Sequence, residues 1–412
     1  MPNTFQTNTL TELIALRFAE AGGYLTVGSR AYFKDQLAGK RNGQTYEFVI
    51  RDTGEAVKGL AIGGGDKTSL AERKVSLTLE DYHVAVETNT IEGVTDVLWD
   101  KEIAQPNAKK LINKVTREIV ANDLGKCGAA FVGEGFAPLS RASGHLQSIV
   151  SDKLYGFIAP QIEAVLTTNG QQFVPVGAPP MYKTGLLGEF HGAEYRAQRF
   201  LKPVSISSAV ATFLNGATMA SSSAFAANAV DGTLADFKIA FTSPGSNLTI
   251  PAGIVIWVDG VYACDTVGDV TDELKAFVVL ADKAVTTTDT SATLSVRMID
   301  LSSSFATSGT REAAKKDDTA LALTDFNSKS IAVPAAGDYH AGYIRADGAF
   351  EFETLDKIDV EGSDYEKGSV EGVTMHKNKK MDIDNMVNKT RWDVVPLAGV
   401  VESRACAYVL VK

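Results

Sequence analysis

Cysteine is scarce in this chain. Cys127, Cys264 and Cys406 are scattered and odd in number, which excludes a disulfide framework and a paired-cysteine zinc motif and makes a reducing compartment the expectation. No stretch approaches the roughly 18 consecutive apolar residues of a membrane span. The opening "MPNTFQTNTLTELIALRF" lacks the basic start and apolar core of a secretory signal, so a soluble protein made in the cytoplasm is expected. Positive charge is also in deficit: 40 Lys and Arg stand against 50 Asp and Glu, a net charge of -10. That balance argues against a protein that grips nucleic acid by neutralising phosphates, although it leaves room for a neighbour that merely contains DNA. Catalytic signatures are missing too. There is no G-x-S-x-G elbow and no H-E-x-x-H, and the histidines (His83, His145, His191, His340, His376) stand in unrelated contexts.

What is present is an ordinary globular composition, 45% hydrophobic and 22% charged over 412 residues, with room for two or three domains and a substantial core. "TLTELIALRFAEAGG" sets Thr9 and Glu12 at capping-box spacing and lines up Leu10, Leu13, Ile14 and Phe18. It reads as an amphipathic arm helix stopped at Gly22 and Gly23. Asn42 and Gly43 signal a turn, and Tyr46, Phe48 and Ile50 alternate after it. Residues 28–79 therefore read as a long β excursion with the glycine-rich "AIGGGDKTS" inside it. "KVSLTLEDYHVAVETN" then changes phase: Val75, Leu77 and Leu79 share odd positions, whereas Tyr82, Val84 and Val86 share even ones. One continuous strand cannot bury both sets, so a bend or bulge is expected at Glu80 and Asp81.

"TIEGVTDVLWDKEIAQP" suggests a short helix ended by Pro106. A long helix follows from Asn107 to about Gly128, with Leu111, Ile112, Val115, Ile119, Val120 and Leu124 on one face and Lys109, Lys110, Lys114, Arg117 and Glu118 largely on the other. At 1.5 Å per residue it is about 30 Å long, enough to act as the spine of a domain. "KLYGFIAPQIEAVLTTNGQQFVPV" reads as a further apolar helix segment and a turn, and "YKTGLLGEFHGAEYRAQRF" as loops and a strand. After about Pro203 the composition shifts to Ser, Thr, Ala and Val, with strand-like runs "FKIAFTS", "GIVIWVDGVYAC", "KAFVVLADKAV" and "ATLSVRMIDL". They suggest a small antiparallel barrel or sandwich inserted into the first domain. The tail returns to strand patterning and completes that domain's sheet.

Each possible chemistry meets a plainer reading. Asp81, His83 and Glu87 share one face of an extended strand, but no second histidine lies nearby, so a solvated strand face is favoured. In "GGGDKTS" the negative Asp66 stands where a phosphate loop needs Gly-Lys. "DIDN", Asp382 to Asn385, lacks the calcium-loop glycine and distal glutamate and reads as a surface turn; "HKNKK", His376 to Lys380, reads as a hairpin turn. Cys127 reads as core rather than nucleophile. No catalytic, cofactor-binding or metal residue emerges, so no enzyme is expected.

Three stretches carry a resemblance. "KRNGQTYEFVIRDTG" through "KVSLTLEDYHVAVETNTIEGVTDVLWDKEIAQPNAKKLINKVTREIVANDL" is similar to an extended loop running into a spine helix. "IPAGIVIWVDGVYACDTVGDVTDELKAFVVLADKAVTTTDTSATLSV" is similar to an inserted domain with a glycine-led strand, a "GVYA" turn and an "FVV" strand. "VEGVTMHKNKKMDIDNMVNKTRWDVVPLAGVVESRACAYVLV" resembles a closing segment in which an Arg-aromatic-Asp step, Arg391, Trp392 and Asp393, precedes a small-residue turn. Together and in this order they resemble the major capsid (coat) protein of tailed double-stranded DNA bacteriophages, the Hong Kong 97-type fold, within it the short-tailed-phage coat proteins with an inserted domain.

The resemblance implies an α+β Hong Kong 97-type capsid fold: N-terminal arm (1–27), extended β loop (28–79), peripheral domain with spine helix 107–128 and the start of the axial domain (80–203), inserted antiparallel β-barrel-like domain (204–333), and a return to the axial and peripheral domains (334–412). It implies a virion structural protein that self-assembles, as pentamers and hexamers, into an icosahedral shell around double-stranded DNA, without sequence-specific binding. Assembly would occur in the bacterial host cytoplasm through a procapsid, with a scaffolding protein and a portal protein as partners. No cofactor and no membrane are implied. Lys40, Arg41, Tyr46, Phe48 and Arg51 are the expected inter-subunit contacts, and Lys109, Lys110, Lys114 and Arg117 the expected lumen-facing basic residues. The alternatives are a nanocompartment shell enclosing cargo enzymes and a phage surface protein that binds carbohydrate or a receptor.

Overall fold

The structure is a computed structural model. It describes residues 23–27, 29–30, 43–51, 72–89, 105–123, 126–149, 153–162, 164, 186–190, 192–220, 234–264, 270–297, 313–314, 316–317, 323–355, 364–370, 373–382 and 387–412. Strands outnumber helices, and the fold is mixed α+β. The chain divides into two compact units, one made of Met1–Glu47, Ser76–Ala121 and Gly348–Val401, the other of Phe48–Val75, Asn122–Asp347 and Glu402–Lys412.

In the first unit, the strands Asp364–Val370, Val373–Asp382, Val387–Val394 and Tyr82–Asn89 lie side by side in that order, each antiparallel to its neighbour. Directly opposed residues point to the same face. Tyr82 faces Val394 and Val84 faces Trp392, so these two residues share a face with a fully buried tryptophan. The odd-numbered set belongs elsewhere: Glu72–Thr78 is a separate strand, paired among the described residues with Thr45–Arg51 in a two-stranded ribbon whose two strands are each divided between the units. Between them Leu79 is fully buried, its N–H donating to the Gln44 carbonyl at 3.1 Å, while Glu80 N–H turns to Pro396 O at 3.4 Å. The phase change is thus a handover from ribbon to sheet.

The spine helix runs Gln105–Asp123, and Leu111, Ile112, Val115, Ile119 and Val120 are buried along it. Pro106, read from sequence as a terminator, sits instead in the first turn, where no backbone donor is required of it. The helix is described to Asp123, and Gly128, expected at its end, is engaged elsewhere: its N–H donates to Ser403 O and Cys406 O, and a Cβ there would lie 2.7 Å from Ser403 O. Gly23, expected to stop the arm helix, opens the one-turn helix Gly23–Thr26, whose Tyr24 packs edge-on against Phe350 at 5.9 Å. The rest of the arm helix, the 90–104 helix and the glycines of "AIGGGDKTS" lie outside the described residues.

The second unit is built on a mixed sheet in the order Ala129–Gly133, Cys406–Val411, Gly337–Ala346, Leu154–Ile158, Ala193–Ala197, Leu186–Phe190. Its C-terminal strand, buried along its whole length, is parallel to Ala129–Gly133 and antiparallel to Gly337–Ala346. Several sequence readings are corrected here. "LYGFI" is a strand between two others, not part of a helix, because Tyr343 and its neighbours pair along it. "YKTGLLGEFHGAEYRAQRF" contains two antiparallel strands. The helix Ala137–Ile149 has no expected counterpart. In the first unit, "HKNKK" lies within strand Val373–Asp382, not at a turn, with His376 and Lys377 buried, and the small residues of "PLAGV" form a strand beside Phe350–Thr354.

Within 204–333, strands Leu234–Ala240 and Ser291–Arg297 pair, Leu248–Ile250 pairs with Lys283–Val285, and Val255–Cys264 pairs with Val270–Val278. Phe237, Phe277 and Phe326 meet in one aromatic cluster, the first two edge-on at 5.0 Å. "GVYA" is not a turn but a register irregularity inside Val255–Cys264, where Gly260 takes φ +79, a conformation that glycine adopts without steric cost. A short helix, Ser208–Asn215, capped by Ser207, precedes these strands.

Two glycines should answer the same substitution with opposite signs. Gly128→Ala drives a Cβ into backbone that cannot retreat and is expected to cost about 1–3 kcal/mol. Gly144→Ala, inside Ala137–Ile149 with open space around it, is expected to gain about 0.5–1 kcal/mol. Chemical denaturation of the full chain reads both, and equal shifts would contradict the packing described.

Candidate functional site

The polar side chains at the handover form one connected group. Trp392 points into the core, so on the same strand Arg391 and Asp393 take the opposite face. Arg391 Nη2 donates to Asp81 Oδ2 at 2.7 Å, and Arg391 Nε donates to Asp393 Oδ1. Asn378 Nδ2 reaches Asp393 Oδ2 at 3.0 Å. His83 stands directly opposite Asp393 in the strand register. Thus the Arg-aromatic-Asp step has a physical role: the aromatic anchors the strand while the guanidinium binds the residue just before strand Tyr82–Asn89. Asp393 is buried, Asp81 half-buried and His83 exposed. Burial and the Asp393 charge raise the Asp81 pKa, with the Arg391 guanidinium opposing them.

Sequence proximity suggested Glu87 as the companion of Asp81 and His83. The register instead sets Glu87 opposite Lys389 and brings in Asp393. Tyr82 ties the same region to the spine helix. Its hydroxyl donates to Glu80 Oε2 at 2.6 Å. Burial, then the bonds with Glu80 and Glu118, push its pKa up.

The expected contact residues fall in different settings. Lys40 and Arg41 lie outside the described residues. Tyr46 is buried within this chain, and burial raises its pKa. Phe48 and Arg51 belong to ribbon strand Thr45–Arg51. Lys109, Lys110, Lys114 and Arg117 are exposed along the spine helix. Lys114 pairs with Glu118 one turn on, and that bond holds the Glu118 carboxyl below its usual range.

A second polar group occurs in the other unit. The buried Lys275 donates to Gly128 O at 2.7 Å, and Arg141 pairs with Glu273 at 2.5 Å. His145 stands beside them, 5.5 Å from the Phe131 ring. Burial, reinforced by the Lys275 charge, lowers its pKa to about 4. A cleft bordered by Phe131, Arg141, Trp257, Glu273 and Leu274 opens here, its walls apolar apart from that ion pair.

No protein-family model and no curated protein matches the chain. Among solved structures, it is similar to one described as Mycobacterium phage Che8, at 10% identity and TM-score 0.43, covering 93% of this chain and 90% of that one. It is also similar to the capsid of Ralstonia phage GP4, at 8% identity and TM-score 0.40, covering 90% and 84%. A virus-like particle from Pyrococcus furiosus aligns at 7% identity and TM-score 0.40, covering 98% and 99%.

Arg391→Met leaves the buried Asp393 carboxylate with Asn378 as its remaining bonded side chain in this group and is expected to cost about 1–3 kcal/mol. Arg141→Met, in a pair more than half exposed on both sides, should cost less than about 1 kcal/mol. Denaturation midpoints of the two variants test the difference. His145, with its folded pKa below its unfolded 6.5, contributes stability that is present above that pH and lost as pH falls toward about 4. The loss is on the order of 3 kcal/mol. His145→Gln should flatten that limb of the stability profile; an unchanged slope would contradict the burial.

Proposed function

We propose that this chain is a structural shell subunit, the major capsid protein of a tailed bacteriophage, with the Hong Kong 97-type fold. The carrying observation is the order of its parts: a two-stranded ribbon, a phase change fastened to the closing segment, a spine helix, a β-rich segment, and a last strand paired on both sides within a sheet. Supporting the inserted domain is the pairing of Val204–Ile206 with Gly337–Tyr339, which brings the two ends of that segment to one place.

In this reading the ribbon Thr45–Arg51 with Glu72–Thr78 reaches over a neighbouring subunit. Lys40 and Arg41 meet acidic groups there, and Phe48 and Arg51 extend the contact. Tyr46, buried at the root, serves the subunit's own packing. Lys109, Lys110, Lys114 and Arg117 face the lumen, Lys114 beside its partner Glu118. A shell wall of net charge -10 encloses DNA without gripping it. Many weak contacts per subunit suffice for a closed shell, since each further contact is made at high effective concentration. A scaffolding protein and a portal complete the assembly in the host cytoplasm.

The test is electron microscopy with sedimentation velocity on the purified chain, alone and co-expressed with proteins of the neighbouring genes. Closed particles built of pentamers and hexamers are expected. Particles that form around an enzyme cargo with no scaffold would replace the phage reading with the nanocompartment one. Small species under every condition would overturn the shell.

A further inference from the structure

Asp81, His83 and Asp393 each offer one ligand atom, and these atoms all lie within 4.8 Å of one another. Tetrahedral donors about 2.1 Å from a common ion lie about 3.4 Å apart, so modest side-chain rotation closes the set, most freely at the exposed His83. The three come from two paired strands and the residue before one of them. His83 and Asp393 are therefore positioned by the backbone hydrogen bonds of the sheet, and Asp81 lies one residue before it.

A second feature points to a cation. Among the described residues, Asp81 Oδ1 is shielded from solvent and accepts no hydrogen bond, although its partner oxygen is held by Arg391. A shielded anionic oxygen left in that state is costly. The bookkeeping of charge agrees: two carboxylates share one guanidinium. Asp81 Oδ2 and both Asp393 oxygens accept hydrogen bonds from Arg391 and Asn378, and each carboxylate oxygen keeps a second lone pair that an ion can use. These are the bonds that orient ligating carboxylates from outside a metal site.

We propose that Asp81, His83 and Asp393 form a divalent metal site of the zinc class, two carboxylate oxygens and one imidazole nitrogen with water completing the shell. The imidazole favours zinc, cobalt or nickel over calcium or magnesium. The ion fastens strand Tyr82–Asn89 to strand Val387–Val394 where the ribbon begins. This site stands on side-chain geometry alone and does not depend on the shell reading.

The experiment uses the full chain stripped with chelator and titrated with Co2+ as a spectroscopic probe, followed by displacement with Zn2+. One equivalent should bind saturably, with a visible band and a raised thermal midpoint. His83→Ala should weaken binding at least about 10-fold while leaving the metal-free midpoint unchanged, because that side chain is exposed. Asp81→Asn should weaken it similarly. No saturable binding to the native chain, or binding undiminished in His83→Ala, would overturn the site. Should Asp81→Asn fail to fold, the native titration and His83→Ala decide it.

Discussion

A β-strand sends successive side chains to opposite faces, so it can keep an apolar face only by keeping its phase. Glu72–Asn89 meets that constraint twice, in opposite phase, and the strands on the two sides of the break pair with different partners. Leu79 closes one hydrophobic set and Tyr82 opens the next. Leu79 still bonds to Gln44 and Gly43 at the ribbon's root, whereas the Glu80 N–H already turns to the Pro396 carbonyl. Arg391 then binds Asp81 and Asp393 together. A lysine could supply the charge at this point but not the fork that reaches two carboxylates. The same guanidinium keeps the buried Asp393 from being an unpaired charge.

The second unit answers a different constraint. Its last strand, Cys406–Val411, is buried throughout and lies between Ala129–Gly133 and Gly337–Ala346. A central strand supplied by the C-terminus makes closure of the sheet depend on contacts of very large sequence separation. Such contacts form slowly, because loop-closure entropy is lost before pairing compensates for it. Gly128 marks the tightest point of that closure, with two hydrogen bonds to the 403–406 turn and no room for a side chain.

Features with a local period were legible in the sequence. The handover at Glu80 and Asp81, the apolar stripe of the spine helix and the strands of the Ser- and Thr-rich segment all follow from alternation or helical spacing within a few residues. Elements whose identity depends on distant partners were not. His376 and Lys377 look like turn residues until strands on both sides pair with them and bury them. Ala137–Ile149 is a helix of small and polar residues with Gly144 inside it; packing on the sheet, not propensity, decides its form. Pro106 carries the same restriction at the end of one helix as in the first turn of the next, and sequence alone did not separate the two. Half of the polar cluster was visible in Asp81 and His83. Its completion by Asp393 required the register of a strand more than three hundred residues further on, for which the nearby Glu87 was a false partner.

We propose that one phase change separates a ribbon serving a neighbouring subunit from a sheet serving the subunit itself. Hydrogen exchange read by mass spectrometry, on the unassembled chain and on assembled particles, tests it most directly. The account predicts that amides of Thr45–Arg51 and Glu72–Thr78 gain protection on assembly, while those of Tyr82–Asn89 and Val387–Val394 are already protected before it. Ribbon amides with equal protection in both states would contradict it.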